Sequence, residues 1–123
     1  MTGQIVNPRA VMLVTFRLSG RPDLTVEFVI DTGFTGALTL PSAAATALGL
    51  PFLEDTRANL ANDQTVAVPV YAATIIWHGD ERVVRVLAVG RRALLGTALL
   101  SQNHLGVDFI EGGGVAISPH GRP

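Results

Sequence analysis

One carboxylate stands out in the sequence because of the residues on either side of it. Asp31 follows the apolar pair Val29-Ile30 and is followed directly by Thr32-Gly33. A carboxylate fixed at the end of a strand can take a proton from water or return one, and the glycine lets another backbone approach closely. The same residues also suit an ordinary Asp-initiated turn, and Asp-Thr-Gly alone arises by chance in about 2 to 3 % of chains of this length.

The elements that must position Asp31 are two short strands. Residues 11–18 are rich in Val, Leu and Phe, and residues 19–23 are turn formers. In the following stretch Val26, Phe28 and Ile30 alternate with other side chains, which is typical of a strand with one apolar face. The pattern predicts a β-hairpin whose second strand delivers Asp31 at its end.

Further along the chain, short apolar stretches are separated by turn-forming residues. The alanine-rich residues 42–49 predict a helix of about two turns. Residues 59–70 predict a second hairpin with an exposed polar tip, residues 73–89 a third, and residues 105–117 a last one around a glycine turn. Leu94-Leu95 predicts a strand end that runs into a brief helix. The fold class is therefore all-β with one or two short helices, as a barrel or a sandwich.

Composition limits the functions that the chain can have. It has 123 residues, of which 48 % are hydrophobic and 15 % charged, and this is typical of one folded domain. Its net charge of -1 gives no electrostatic case for binding nucleic acid. The sequence has no cysteine, no signal-peptide pattern at its start and no apolar run of the roughly 20 residues that a membrane span needs. We expect a soluble, cytoplasmic protein without nucleic-acid or membrane partners.

Other sites are poorly supported by the sequence. His78, His104 and His120 are far apart, with no spacing typical of zinc sites, and no serine-nucleophile motif occurs. We interpret Arg91-Arg92 as a solvated loop and Trp77 as a packing residue. The sequence therefore predicts no metal and no cofactor.

The order of these features resembles the retropepsin family of aspartic peptidases. In that family a hairpin leads into an Asp-Thr-Gly loop, a second hairpin forms the flap, and an apolar-apolar-Gly segment enters a helix before a terminal strand at the dimer interface. The apolar-apolar-Gly segment is represented here by Leu94-Leu95-Gly96. The resemblance implies the closed β-barrel of acid proteases over residues 11–118, with residues 1–10 as an N-terminal segment and residues 119–123 as a tail.

The resemblance also implies an aspartic endopeptidase that works as a twofold homodimer. Such enzymes use two facing carboxylates that share one proton, so that one acts as base and the other as acid. A pepsin-like chain is about twice as long and has two such loops, whereas this chain has one, so a twofold axis would set Asp31 of each subunit against the other. Two alternatives stay open: a dimeric peptide-binding or assembly module with weak or lost catalysis, and a monomeric barrel that carries a small ligand.

The roles of the remaining site residues come from the same resemblance. Thr32 would hydrogen-bond across the twofold axis, and Gly33 would hold the Asp31 carboxylate through its N–H. The second hairpin would be the flap that closes over an extended polypeptide, and we expect it to be stiff or short because its tip has no glycine. The residues expected to contact the substrate are Phe34, Thr35, Gly36, Ala61, Asn62, Asp63, Gln64 and Leu95.

Three positions depart from the retroviral members of that family. Phe34 stands where the family commonly has Ala or Ser, and Thr35 stands where retroviral members have an acidic residue that binds the substrate backbone. Thr97 replaces the Arg that retroviral members place after the apolar-apolar-Gly segment. We therefore expect the contacts that stabilise the short helix to differ from those of retroviral members. We also expect this chain to be a cellular, bacterial relative of the family rather than a viral one.

Overall fold

The computed structural model describes residues 1–59 and 62–121, which form ten strands and two short helices. The strands are β1 (Thr2–Val6), β2 (Arg9–Arg17), β3 (Leu24–Ile30), β4 (Leu38–Leu40), β5 (Phe52–Asn59), β6 (Thr65–Trp77), β7 (Asp80–Ala88), β8 (Leu94–Leu95), β9 (Asn103–Val107) and β10 (Gly114–Pro119). The helices are α1 (Ser42–Leu48) and α2 (Thr97–Leu100). The prediction of a mainly β fold with short helices is confirmed.

Six of the strands close into a barrel. β2 pairs with β3 on one side and with β6 on the other, and the ring continues from β6 through β7, β4 and β8 back to β3. Closure removes the unpaired edges that an open sheet would present. The predicted closed β-barrel is therefore confirmed, and the contact that closes it joins residues 15–17 to residues 74–76.

The interior is filled by apolar side chains that the alternation of the strands turns inward. Phe16 and Phe28 are fully buried, and their rings stack with centroids 5.9 Å apart. Trp77 is buried in the same cluster, so its interpretation as a packing residue is confirmed. Burying one side chain of this size stabilises the fold by about 1.5–3 kcal/mol, so this core holds the barrel without a disulfide.

β6 is one strand of 13 residues, where the sequence predicts separate arms of two hairpins. Its first part pairs with β5, and its second part pairs with β7 and β2. The sequence between these parts, Tyr71-Ala72-Ala73, contains no turn former, so the strand continues. It ends at a tight turn in which His78 and Gly79 have φ angles of 52° and 84°, the positive values of a two-residue hairpin loop.

Three more strands extend the sheet outward from β2 in the order β1, β10 and β9. β1 lies between β2 and β10, and its Ile5 is fully buried, so the first residues of the chain are part of the sheet. β10 lies between β1 and β9. The outer edge of β9 therefore carries no strand from the described part of the chain.

The two helices are short and lie beside the barrel. α1 follows β4 and buries Ala45 and Leu48. It ends at Gly49, whose φ of 65° is the left-handed conformation that commonly ends a helix. Within residues 1–59 and 62–121, no helix is long and apolar enough to cross a bilayer.

Candidate active site

Asp31 begins the loop of residues 31–37, which connects β3 to β4. These two strands are not neighbours, because β8 lies between them, parallel to β3 and antiparallel to β4. The loop must therefore pass over the end of β8. The Asp31 N–H donates to the carbonyl of Leu95 at 2.9 Å, which fixes the start of the loop to β8.

The carboxylate of Asp31 is oriented by its own loop. The N–H of Gly33 donates to Oδ1 of Asp31 at 2.8 Å, and the N–H of Phe34 donates to the Asp31 carbonyl at 3.1 Å. A Cβ at Gly33 would lie only 3.2 Å from Oδ1, so glycine suits this close approach. Asp31 is half-buried, and its Oδ2 has no partner within the described residues.

The chain leaves β8 beneath this loop and enters α2 through Gly96. The N–H and the hydroxyl of Thr97 both donate to the carbonyl of Phe34, at 2.8 Å and 3.3 Å, and the N–H of Ala98 donates to the carbonyl of Gly36 at 3.1 Å. These bonds connect the short helix to the Asp31 loop. Thr97, which stands where retroviral members have Arg, thus contacts the loop backbone through hydrogen bonds between uncharged groups.

The ring of Phe34 packs against its own loop. A Cβ at Gly36 would lie 2.5 Å from Cζ of Phe34, and Gly96 also borders the ring. Phe34 is half-buried, whereas Thr32 and Thr35 are exposed on the loop surface. Leu95 is fully buried, so its side chain belongs to the core, and its carbonyl is the group that reaches the site.

An open groove of about 370 Å³ lies beside Asp31. Asp31 is the only carboxylate among the described residues that line it, and the others are Thr39, Val89, Gly90, Arg91, Arg92 and Leu94. The hairpin-tip residues 62–64 are exposed and do not line this groove. Ala61, also expected to contact substrate, lies outside the described residues.

The turn of residues 89–92 was not expected at the site. Arg91 and Arg92 are exposed, in agreement with a solvated loop, but the loop forms a wall of the groove that contains Asp31. The only signal in the sequence is that this turn directly precedes Leu94-Leu95-Gly96.

The histidines do not come together at this groove. A ring nitrogen of His78 lies 2.6 Å from Oδ1 of Asn103, and neither residue lines the groove. In the ranges that the structure describes, no group of three or more His, Asp or Glu side chains has an arrangement that could hold a metal ion. The groove itself offers one carboxylate and two guanidinium groups.

The geometry agrees with comparisons to known proteins. A family model described as aspartyl protease matches residues 12–109, which include the Asp31 loop, the β5–β6 hairpin and Gly96. The chain belongs to the aspartyl protease family. EIAV protease, solved in complex with the inhibitor HBY-793, is similar with a TM-score of 0.60 and 19 % identity, covering 77 % of this chain and 88 % of that chain. At that identity the likeness shows the retropepsin-like fold, and a search of curated proteins gives no match.

In this member of the aspartyl protease family, a buried hydroxyl fixes the groove wall. Thr39 is 3 % exposed and is the one buried polar residue in the described part of the chain. Its Oγ1 donates to the carbonyl of Arg92 at 3.1 Å and accepts the N–H of Leu94 at 3.0 Å. The sequence gives little sign of this role, because Thr39 stands between two leucines in an ordinary strand pattern.

We expect Thr39→Val to lower the free energy of unfolding by about 1–3 kcal/mol, because the Leu94 N–H loses its partner in the interior. Urea unfolding measures this change. Thr39→Ser is the matched control, since it keeps the hydroxyl and loses one methyl group, at about 0.8 kcal/mol. Hydrogen exchange at the Leu94 N–H should accelerate more in the valine variant than in the serine variant. Equal rates in the two variants would contradict the hydrogen bond from the Leu94 N–H to Oγ1 of Thr39.

Proposed function

We propose that this chain is an aspartic endopeptidase that hydrolyses peptide bonds with a water activated by two Asp31 carboxylates, one from each of two subunits. The observation that carries the proposal is the placement of Asp31. Its carboxylate stands at a strand end, oriented by the Gly33 N–H and open to a groove, in a member of the aspartyl protease family.

The reaction needs one proton acceptor for the attacking water and one proton donor for the peptide carbonyl oxygen, and the two groups must lie close together. The ionised carboxylate takes a proton from water as the water oxygen bonds to the carbonyl carbon, and the protonated carboxyl gives its proton to the carbonyl oxygen. Collapse of the tetrahedral intermediate then breaks the C–N bond, as the carboxyl that took the water proton gives it to the nitrogen and the other carboxylate takes back a hydroxyl proton of the intermediate. Two carboxylates with one shared proton supply both roles, and no metal or cofactor is required.

A second subunit is part of this proposal because the described groove contains one carboxylate. A twofold axis near Oδ2 of Asp31 would supply the other, in the isologous contact that is commonest among homodimers. The free edge of β9 supports such a contact, since an unpaired strand edge can pair with another copy. Phe109 and Ile110, which follow β9, are 71 % and 70 % exposed and offer apolar surface to the partner.

The β5–β6 hairpin is the element we propose as the flap over the substrate. Its two strands pair over residues 52–59 and 65–71, and its described tip is exposed. The tip has no glycine, but Asp63 takes a φ of 64° there, and the Gln64 N–H donates to Oδ1 of Asn62 at 3.2 Å. A polypeptide lying extended under this hairpin could add strand-like hydrogen bonds to it.

The experiment that tests this function is cleavage of a mixed library of unmodified peptides, with the products identified by mass spectrometry. We expect new termini inside the peptides, which is the mark of an endopeptidase. If dimeric protein binds peptides and produces no new termini, the chain is a peptide-binding module and the proposal is wrong.

We also expect the activity to depend steeply on protein concentration. Below the dissociation constant of the dimer, the rate should fall about 100-fold for each tenfold dilution, because the dimer concentration follows the square of the subunit concentration. Sedimentation velocity at the same concentrations reports the dimer fraction. A specific activity that does not change while the protein sediments as a monomer contradicts the shared site.

A further inference from the structure

Two positive charges on the groove wall have no partner within the chain as described. Arg91 and Arg92 line the groove with Asp31, and neither makes an ion pair or a side-chain hydrogen bond in residues 1–59 and 62–121. The described ion pairs involve Arg17 and Arg85 instead. The two guanidinium groups of this groove wall are therefore available to an external anion.

The backbone that carries these arginines is fixed to the barrel at both ends. The Val89 N–H donates to the carbonyl of Leu40 at 3.0 Å, and the Val29 N–H donates to the carbonyl of Ala93 at 2.9 Å. Thr39 holds the carbonyl of Arg92 itself. Gly90, with a φ of 76°, allows the turn between these anchors. The arginines thus extend from an anchored turn beside the carboxylate that we propose as catalytic.

We propose that Arg91 and Arg92 form a carboxylate-binding subsite beside Asp31, so that the enzyme prefers polypeptides with an Asp or Glu side chain close to the cleaved bond. This inference rests on the proposed function. A guanidinium can donate two parallel N–H bonds to a carboxylate, which a neutral amide side chain does not match. In the proposed dimer, four such groups would line the two grooves that contain the Asp31 carboxylates, so an acidic substrate side chain would meet positive charge there.

The size of the preference follows from the exposure of the arginines. Because both are solvent-exposed, water and salt screen their attraction for an anion. We expect kcat/KM at low salt to be roughly 3- to 10-fold higher for an acidic peptide than for its neutral counterpart. The difference should lie mainly in KM, since this contact is the same in the ground state and the transition state.

The test compares pairs of peptides that are blocked at both ends and carry either Glu or Gln at one position. The position is moved from three residues before the cleaved bond to three residues after it, and a neutral peptide with a free carboxyl terminus forms an extra arm. The proteins are the parent, Arg91→Gln, Arg92→Gln and the double variant. Added salt should reduce the Glu preference of the parent.

Arg17→Gln is the matched control because it removes the same charge at a distance. Arg17 pairs with Asp23 at 3.2 Å and Glu81 at 2.5 Å, and the hydrogen bond and charge of Asp23, with the charge of Glu81, raise its pKa. It lies at the turn end of the β2–β3 hairpin, opposite to Asp31, and the seven residues of β3 separate the two ends by roughly 20 Å at about 3.3 Å per residue.

The expected result is a Glu preference in the parent and in Arg17→Gln that disappears in the double variant. Replacing both arginines by glutamate should reverse it, so that Lys peptides are cleaved faster than Gln peptides. Equal cleavage of Glu and Gln peptides by the parent overturns this inference and leaves the endopeptidase function standing, whereas no cleavage of any peptide overturns both. Faster cleavage of only the peptide with a free carboxyl terminus also overturns the inference, because the arginines would then bind the terminal carboxylate rather than a side chain.

Discussion

Replacing Asp31 by Asn is expected to reduce kcat/KM for peptide hydrolysis by at least about 10³-fold, within the range that acid–base catalysis contributes. The amide oxygen of asparagine can still accept the Gly33 N–H that Oδ1 accepts in the parent, so the loop should keep its shape. An amide, however, cannot take a proton from water. In a homodimer the substitution removes both carboxylates together, so neither base nor acid remains.

The loss must be separated from a loss of structure. Urea unfolding and sedimentation of Asp31→Asn should match the parent, because the hydrogen bond to Gly33 is retained. Asp80→Asn is a matched control, because it makes the same change at an exposed carboxylate outside the groove. Asp80 lies at the start of β7, and the groove wall follows the other end of that strand. A rate for Asp31→Asn within tenfold of the parent would place the chemistry elsewhere.

Mixing subunits tests whether the site is shared. When excess Asp31→Asn protein is added to the parent, most parent subunits should enter heterodimers that contain a single Asp31. Activity should then fall as the variant is added, although the amount of parent protein is constant. If the activity of the parent is unaffected while the subunits exchange, each chain contains a complete site and the dimeric mechanism is wrong.

The local part of this site could be predicted from the sequence because it depends on neighbours along the chain. The alternation of Val26, Phe28 and Ile30 indicated β3, and β3 ends at Ile30, directly before Asp31, as predicted. Glycines in the turns of the β2–β3, β6–β7 and β9–β10 hairpins indicated these hairpins in the same way, and the alanine-rich stretch indicated α1. These features follow from the period of the strand and the preferences of turns, which act over a few residues.

The contacts that complete the groove could not be predicted because they join distant segments. The position of β8 between β3 and β4, partly through parallel pairs, brings residues 89–92 beside Asp31. No local pattern specifies such a pairing. The interpretation of Arg91-Arg92 as a solvated loop is confirmed for their exposure, but it did not predict that they line the groove. The sequence pattern around Thr39 is that of an ordinary strand residue.

Gly96 is the second position where a small change should have a large effect, and the reason is space. Its φ of -110° and ψ of -175° are extended values that any residue adopts. A Cβ at Gly96, however, would lie 2.5 Å from the carbonyl oxygen of Phe34 and closer still to that of Gly36. Those two oxygens accept the hydrogen bonds from α2, so even alanine must push the Asp31 loop away from the helix.

We expect Gly96→Ala to lower the free energy of unfolding by about 1–3 kcal/mol, the usual cost of overpacking. It should also reduce kcat/KM by about 10²-fold, since a displacement of about 1 Å in a catalytic group has effects of that size. Gly114→Ala is the matched control, because a Cβ there would meet nothing closer than Oδ2 of Asp108 at 3.9 Å. Urea unfolding and peptide cleavage at a temperature where both variants are folded measure the two effects.

A double variant separates the two sources of crowding at Gly96. The ring of Phe34 also borders this glycine, so Phe34→Ala combined with Gly96→Ala removes the clash with the side chain and keeps the clash with the two carbonyls. We expect the double variant to recover little of the lost activity, because the carbonyls belong to the loop that holds Asp31. Full recovery would show that glycine is needed at position 96 only to make room for the ring of Phe34. It would contradict the clash with the two carbonyl oxygens as the cause.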